Sequence, residues 1–150
     1  MLYKKFIGKT SNPVLNTLER GAIKKFAESI GDKNPLFIDE EFGNSSSFNE
    51  NIVPPTYTQT LDYGEIEGLI VPSKGLIHGE QIFEYSRPLK VGEKIKCYTI
   101  VENFYEKEGR NGTLSFLSRN KIGEDLEDNH LFKITEVLII TEAVRKVMEV

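Results

Sequence analysis

Chemistry that moves a proton near neutral pH has two imidazoles to draw on in this chain, His78 and His130. Histidine is the side chain whose ordinary pKa lies closest to 7. Any His-dependent step therefore uses one of these two or is absent. Cys97, the single cysteine, needs an adjacent base to act as a nucleophile. Within Lys96-Cys97-Tyr98, in a β-rich stretch, it reads as a small buried hydrophobe. A metal needs several His, Cys or carboxylate ligands in register. His78 and Glu80 would share one face of a strand, but two ligands do not make a site, and Glu65 and Glu67 point to different sides of a helix. No metal is expected.

Two short patterns carry less than their form suggests. Gly8-Lys9-Thr10 has the tail of a phosphate-binding loop, but Tyr3 occupies the position of the required first glycine. An exposed polar turn is the plainer reading. Asn44-Ser45-Ser46 and Asn111-Gly112-Thr113 have glycosylation spacing. The second reads better as a hairpin turn, because Asn-Gly favours type I′ geometry.

The most informative stretch is Phe26-Ala27-Glu28-Ser29-Ile30-Gly31-Asp32-Lys33-Asn34-Pro35-Leu36-Phe37-Ile38-Asp39. A helix ends in glycine, an aspartate follows at the turn, and Asn-Pro redirects the chain. Read locally, Asp32 and Asn34 fix the loop by capping backbone amides.

The elements that must position these residues follow from periodicity. Over residues 16–30, Leu18, Ala22, Phe26 and Ile30 recur every four positions, with Ile23 and Ala27 widening the stripe. Asn16 and Glu19 have N-cap and N3 spacing, and Gly31 suits the position past the helix end. Pro35 bars continuation. Residues 32–55 read as loop, with a short helical turn at 39–42. A second helix is expected from Thr56 to about residue 67, with Tyr57, Leu61 and Ile66 diluted by threonine, glutamine and Gly64. From residue 76 the period becomes two. In 76–86, Ile77, Phe83 and Tyr85 are expected on one face and His78, Glu80 and Glu84 on the other. Stretches 94–105, 113–120 and 131–142 are further strands, joined by turns at 107–112 and 123–129. The class is α+β, with helices covering a curved antiparallel sheet. Apolar residues on both faces of 134–140 imply that both sheet faces are covered, the second by a partner subunit or an edge layer.

Composition narrows the function. The 150 residues fit one domain, 1–150. One cysteine excludes a disulfide scaffold. No apolar run exceeds five residues, against about 20 needed for a spanning helix. The first ten residues hold no apolar stretch of signal-peptide length, so a reduced, cytoplasmic setting is expected. A net charge of −4 argues against nucleic acid or an anionic membrane as partner.

The 26–39 stretch resembles the hydratase motif of the MaoC-like, (R)-specific enoyl-thioester hydratase and dehydratase family, which reads Gly-Asp-x-Asn-Pro-aliphatic-His-x-Asp. Gly31, Asp32, Asn34, Pro35, Leu36 and Asp39 match, and Phe37 stands at the histidine position. Val53-Pro54-Pro55-Thr56-Tyr57 and the segment Leu76-Ile77-His78-Gly79-Glu80 onward to Glu93 are similar to the family's N-terminal-type, or partner, domain. The resemblance runs over about residues 5–142.

The resemblance implies a hot-dog fold, a long central helix wrapped by a curved antiparallel sheet. It implies two hot dogs side by side, as a homodimer, a heterodimer or one fused chain. A thioester of coenzyme A or acyl carrier protein would enter at their junction, with no cofactor beyond the pantetheine the substrate carries. In active members an Asp/His pair holds the water and backbone amides at the start of the central helix meet the thioester oxygen. Here Asp32 keeps the acid position, but Phe37 cannot carry a proton, and loss of a positioned base costs about 10²–10⁴-fold. The family's His-Gly at the helix start is Pro55-Thr56, and Pro55 has no N–H. The expectation is an acyl-binding, non-catalytic half of a 3-hydroxyacyl-thioester dehydratase or enoyl-CoA hydratase of fatty-acid metabolism, served by a MaoC-like catalytic subunit. Asn34, Phe37, Pro55, Thr56, Tyr57 and Leu61 would touch substrate, with Tyr57, Leu61 and Phe37 along the acyl tail. Two alternatives stand beside it. One is a self-contained enzyme using His78 or Asp32. The other is a homodimeric acyl-CoA-binding or thioesterase-like protein.

Overall fold

The computed structural model describes residues 3–148. Five strands form one antiparallel sheet: β1 (Val14–Thr17), β2 (Leu76–Tyr85), β3 (Lys94–Gly109), β4 (Gly112–Glu124) and β5 (His130–Ile140). Their spatial order is β1-β3-β4-β5-β2, so β1 and β2 are the edges. The helices are α1 (Arg20–Ser29), α2 (Pro35–Ile38), α3 (Glu40–Ser45) and α4 (Glu142–Met148). No helix among the described residues is long and apolar enough to cross a membrane. The sheet and its few helices make the expected hot-dog fold.

Two helix expectations are corrected. Residues 16–30 do not form one helix, because the β ladder claims the first of them. Asn16 pairs with Ile95, and Leu18 is buried with its N–H donating to Glu93 and its carbonyl accepting from Gly92. The helix begins at Arg20, and the Asn16 side chain joins the Asp62 backbone instead of capping it. α1 buries Ile23 and Ala27 and leaves Ile30 exposed.

The helix expected at 56–67 is a single 3-10 turn, Tyr57–Thr60, followed by irregular chain. Asp62 caps the Gly64 amide at 2.9 Å, and Gly64 and Gly68 lie at φ +69° and +77°. An α-helix cannot pass through left-handed residues. The segment is pinned from outside: Ser11 Oγ donates to the Tyr63 carbonyl and the Tyr3 hydroxyl donates to that of Ile70.

The four strands expected after residue 76 appear, with β3 and β4 running on to Gly109 and Glu124; β1 was not expected, and two further details differ. A bulge between His78 and Glu80 inserts one residue, so Glu80 faces away from His78. A Cβ on Gly79 would sit 2.8 Å from the Ile139 side chain, which fits glycine at the bulge. The expected grouping of His78 with Glu80 and Glu84, and of Ile77 with Phe83 and Tyr85, is therefore broken. His78 shares the concave face with Gln81, Phe83 and Tyr85, while Ile77 joins Glu80, Ile82 and Glu84 on the other. The β3–β4 reversal has Arg110 and Asn111 at its centre, not Asn111-Gly112, and neither is at positive φ. The expected type I′ turn is not formed.

Most of the buried apolar side chains form two clusters, and Ala27 and Phe37 belong to neither. One gathers Leu18, Ile23, Tyr57, Tyr63, Ile95 and Phe132. The other gathers Tyr3, Phe6, Val101, Phe104, Leu117 and Leu138.

Candidate functional site

The loop after α1 is built by its own sequence. Gly31, at φ +73°, closes α1: its N–H bonds to Glu28 and that of Asp32 bonds to Ala27, the double bond of a Schellman motif. Asp32 Oδ1 then accepts from the Asn34 amide at 3.3 Å, and Asn34 Oδ1 accepts from the Leu36 amide at 3.0 Å, capping α2. Asp39 caps α3 through the Phe42 amide, so the helical turn expected at 39–42 is present and runs on to Ser45. Asp32 and Asn34 thus serve the backbone of their own loop and are exposed.

One distant residue clamps this loop. Asn51 is 2% exposed. Its Nδ2 donates to the carbonyls of Leu36 and Asp39 at 2.8 Å each, and its Oδ1 accepts from Arg20 at 2.7 Å. Gly43 packs against it so closely that a Cβ there would lie 2.4 Å from Nδ2. Phe37 is 7% exposed, so its ring is turned into the protein while Asp32 faces water.

The chain continues from this clamp into the second half of the site. The Ile52 amide bonds to the Leu36 carbonyl and the Val53 amide to that of Leu89. Pro54 and Pro55 follow, neither able to donate. The Tyr85 hydroxyl donates to the Pro55 carbonyl and shares a 2.7 Å bond with Thr58 Oγ1. Burial raises the pKa of the Tyr85 and Tyr57 hydroxyls, so both stay neutral. Tyr57 packs edge-on against Phe26 at 5.4 Å between ring centres, and Leu61 lies against the same cluster. Residues 52–55 and 85–89 enclose a largely apolar cavity of about 340 Å³. Pro55 lines it, whereas Asp32, Phe37, Tyr57 and Leu61 do not.

Residues 5–134 match the family described as "FAS1-like, dehydratase domain region". The chain belongs to the FAS1-like dehydratase family. A protein of Streptomyces avermitilis described as a UPF0336 protein is 30% identical over 119 residues, 73% of this chain and 78% of that protein. A 3-hydroxybutyryl-CoA dehydratase of Methylorubrum extorquens is 28% identical over 71 residues, 47% of this chain and 45% of that enzyme. Among solved structures, the C-terminally truncated HadBC complex, a 3R-hydroxyacyl-ACP dehydratase from Mycobacterium tuberculosis, has a similar fold. Its TM-score is 0.71 at 14% identity, over 90% of this chain and 97% of that one.

For a FAS1-like dehydratase the chemical inventory at the site is sparse. The motif loop presents an exposed carboxylate and a buried phenyl ring, and the double proline presents carbonyls without N–H groups. His78 lies on β2, exposed, on the concave side of an edge strand and outside the cavity. Burial pushes the Cys97 thiol up to about 12, which leaves it protonated and inert. Sequence reasoning missed Asn51 and Tyr85. A lone Asn in a polar loop gives no signal, and Tyr85 was legible only as an inward strand residue.

Proposed function

We propose that this chain is the acyl-thioester-binding, non-catalytic half of an (R)-specific 3-hydroxyacyl-thioester dehydratase or enoyl-thioester hydratase. The observation that carries the reading is Phe37, a side chain without an exchangeable proton, buried where the motif requires the base. The double proline adds to it. Enolate character at a thioester oxygen needs a donor, and Pro55, at the first of the two positions where the family has His-Gly, has none to give.

What remains is a binding surface. The cavity beside Pro55 and Tyr85 is apolar and falls in the volume range of small-ligand pockets, about 300–1,000 Å³. It suits the acyl part of a thioester carried by coenzyme A or acyl carrier protein. The catalytic Asp/His pair would come from a MaoC-like subunit or a second copy. The free edge of β2 supports such a partner: Ile77 and Ile82 on its convex side are 50% and 43% exposed, and an unpaired edge is a template for another strand. HadBC, itself a complex, has this fold.

The test is hydration of crotonyl-CoA. The purified chain alone should run at background, and adding a MaoC-like subunit with an intact Asp/His motif should restore turnover. Robust activity of the isolated chain overturns the reading. The bulge that turns His78 to the concave face favours one other reading, a self-contained enzyme with His78 as base. In that case His78→Ala would lower the rate of the isolated chain by about 10²–10⁴-fold.

A further inference from the structure

Between the two apolar clusters the concave face carries a polar row. Glu136 on β5 is 1% exposed and stands opposite Arg119 on β4, whose guanidinium pairs with it. Lys121, two residues along β4, lies 3.6 Å from the same carboxylate and 5.3 Å from the centre of the Tyr63 ring. Gln81 continues the row on β2, in register with Glu136, and donates to Gln59 at 2.6 Å.

The row does not balance. It sets two cations, with 20% and 15% of their side chains exposed, against one anion that is 1% exposed. Desolvation already lowers the pKa of Lys121. Arg119 is also under-bonded. Among the described residues its guanidinium makes one hydrogen bond, to Glu136, and its buried Nε has no partner.

Arg119 lines a second cavity, of about 370 Å³, with Thr99 on β3 and Glu65, Ile66 and Leu69 from the segment that replaces the central helix. Glu65 is exposed. We propose that this cavity takes a small carboxylate, either a short carboxylic acid or the carboxylate end of a larger ligand. A carboxylate matches the planar fork of a guanidinium. Bound at the exposed part of the guanidinium, it would bring the row to two cations and two anions. The methyl end of a fatty chain would instead strip water from Arg119 and return nothing. This site is separate from the cavity beside Tyr85 and does not depend on thioester binding.

Amide chemical shifts of the full chain, titrated with succinate and with its uncharged counterpart succinamide, test the inference. Succinate should shift Thr99 and residues 64–71 saturably, and succinamide should not. Arg119→Gln should weaken succinate by about tenfold or more, the loss of a charge-assisted hydrogen bond. If Arg119→Gln fails to fold, Glu65→Gln decides, because it removes an exposed like charge at the rim. It should tighten succinate by about threefold at low salt. No saturable shift, equal shifts from both probes, or an affinity indifferent to Glu65→Gln overturns the site. Neither probe contains a thioester, so this result is independent of the hydration assay.

Discussion

Residues 31–39 and residues 56–71 both leave regular structure, and they are held in opposite ways. In the first, three side chains of the loop close its turns on near neighbours: Asp32 on Asn34, Asn34 on Leu36, and Asp39 on Phe42. In the second the anchors are remote. Asn16 holds Asp62, Ser11 holds Tyr63, Tyr3 holds Ile70 and Tyr85 holds Thr58. A loop that carries its own hydrogen-bond partners is specified locally. A segment that borrows them takes whatever shape the sheet beneath it allows.

The contrast is sharpest at Asn51, a side chain from outside the first loop that serves it. Asn51→Ala leaves the Leu36 and Asp39 carbonyls and the Arg20 guanidinium without their shared partner. The expected loss is about 3 kcal/mol in urea unfolding. A loss below about 1 kcal/mol would mean that the loop's own caps suffice.

Two glycines test the distinction from the other side. Gly64 and Gly31 have nearly the same backbone, φ +69° and +73°. A Cβ at Gly64 would meet the Asn12 carbonyl at 2.8 Å, whereas one at Gly31 meets nothing within 4 Å. Gly64→Ala should cost about 2–3 kcal/mol, the left-handed penalty plus a backbone collision. Gly31→Ala should cost about 1 kcal/mol, the penalty alone. Equal losses in thermal or urea unfolding would remove the claim that remote contacts hold the second segment.

The same contrast explains what was legible. The Gly31-Asp32-x-Asn34-Pro35 turn was readable because each residue acts within five positions of itself. The strands were readable from their period of two, but His78 was misplaced because a single bulge at Gly79 inverts the alternation beyond it. The helix expected at 56–67 failed because Tyr57, Leu61 and Ile66 are inward for reasons other than a shared helix face: they enter two different clusters. The polar row gave no signal: 134–140 read as apolar on both faces, and Arg119 and Lys121, the partners of Glu136, lie on another strand.

By itself, the sequence determined the class of fold, the family, the turns of the motif loop and the replacement of its histidine by Phe37, since each depends on residue type at short range. The tertiary structure decided that the central helix gives way to a pinned segment and that Asn51 clamps the motif. It also turned Phe37 inward and set Glu136 between two cations. These depend on which strands lie side by side, and strand pairing brings together residues whose separation along the chain carries no local signal.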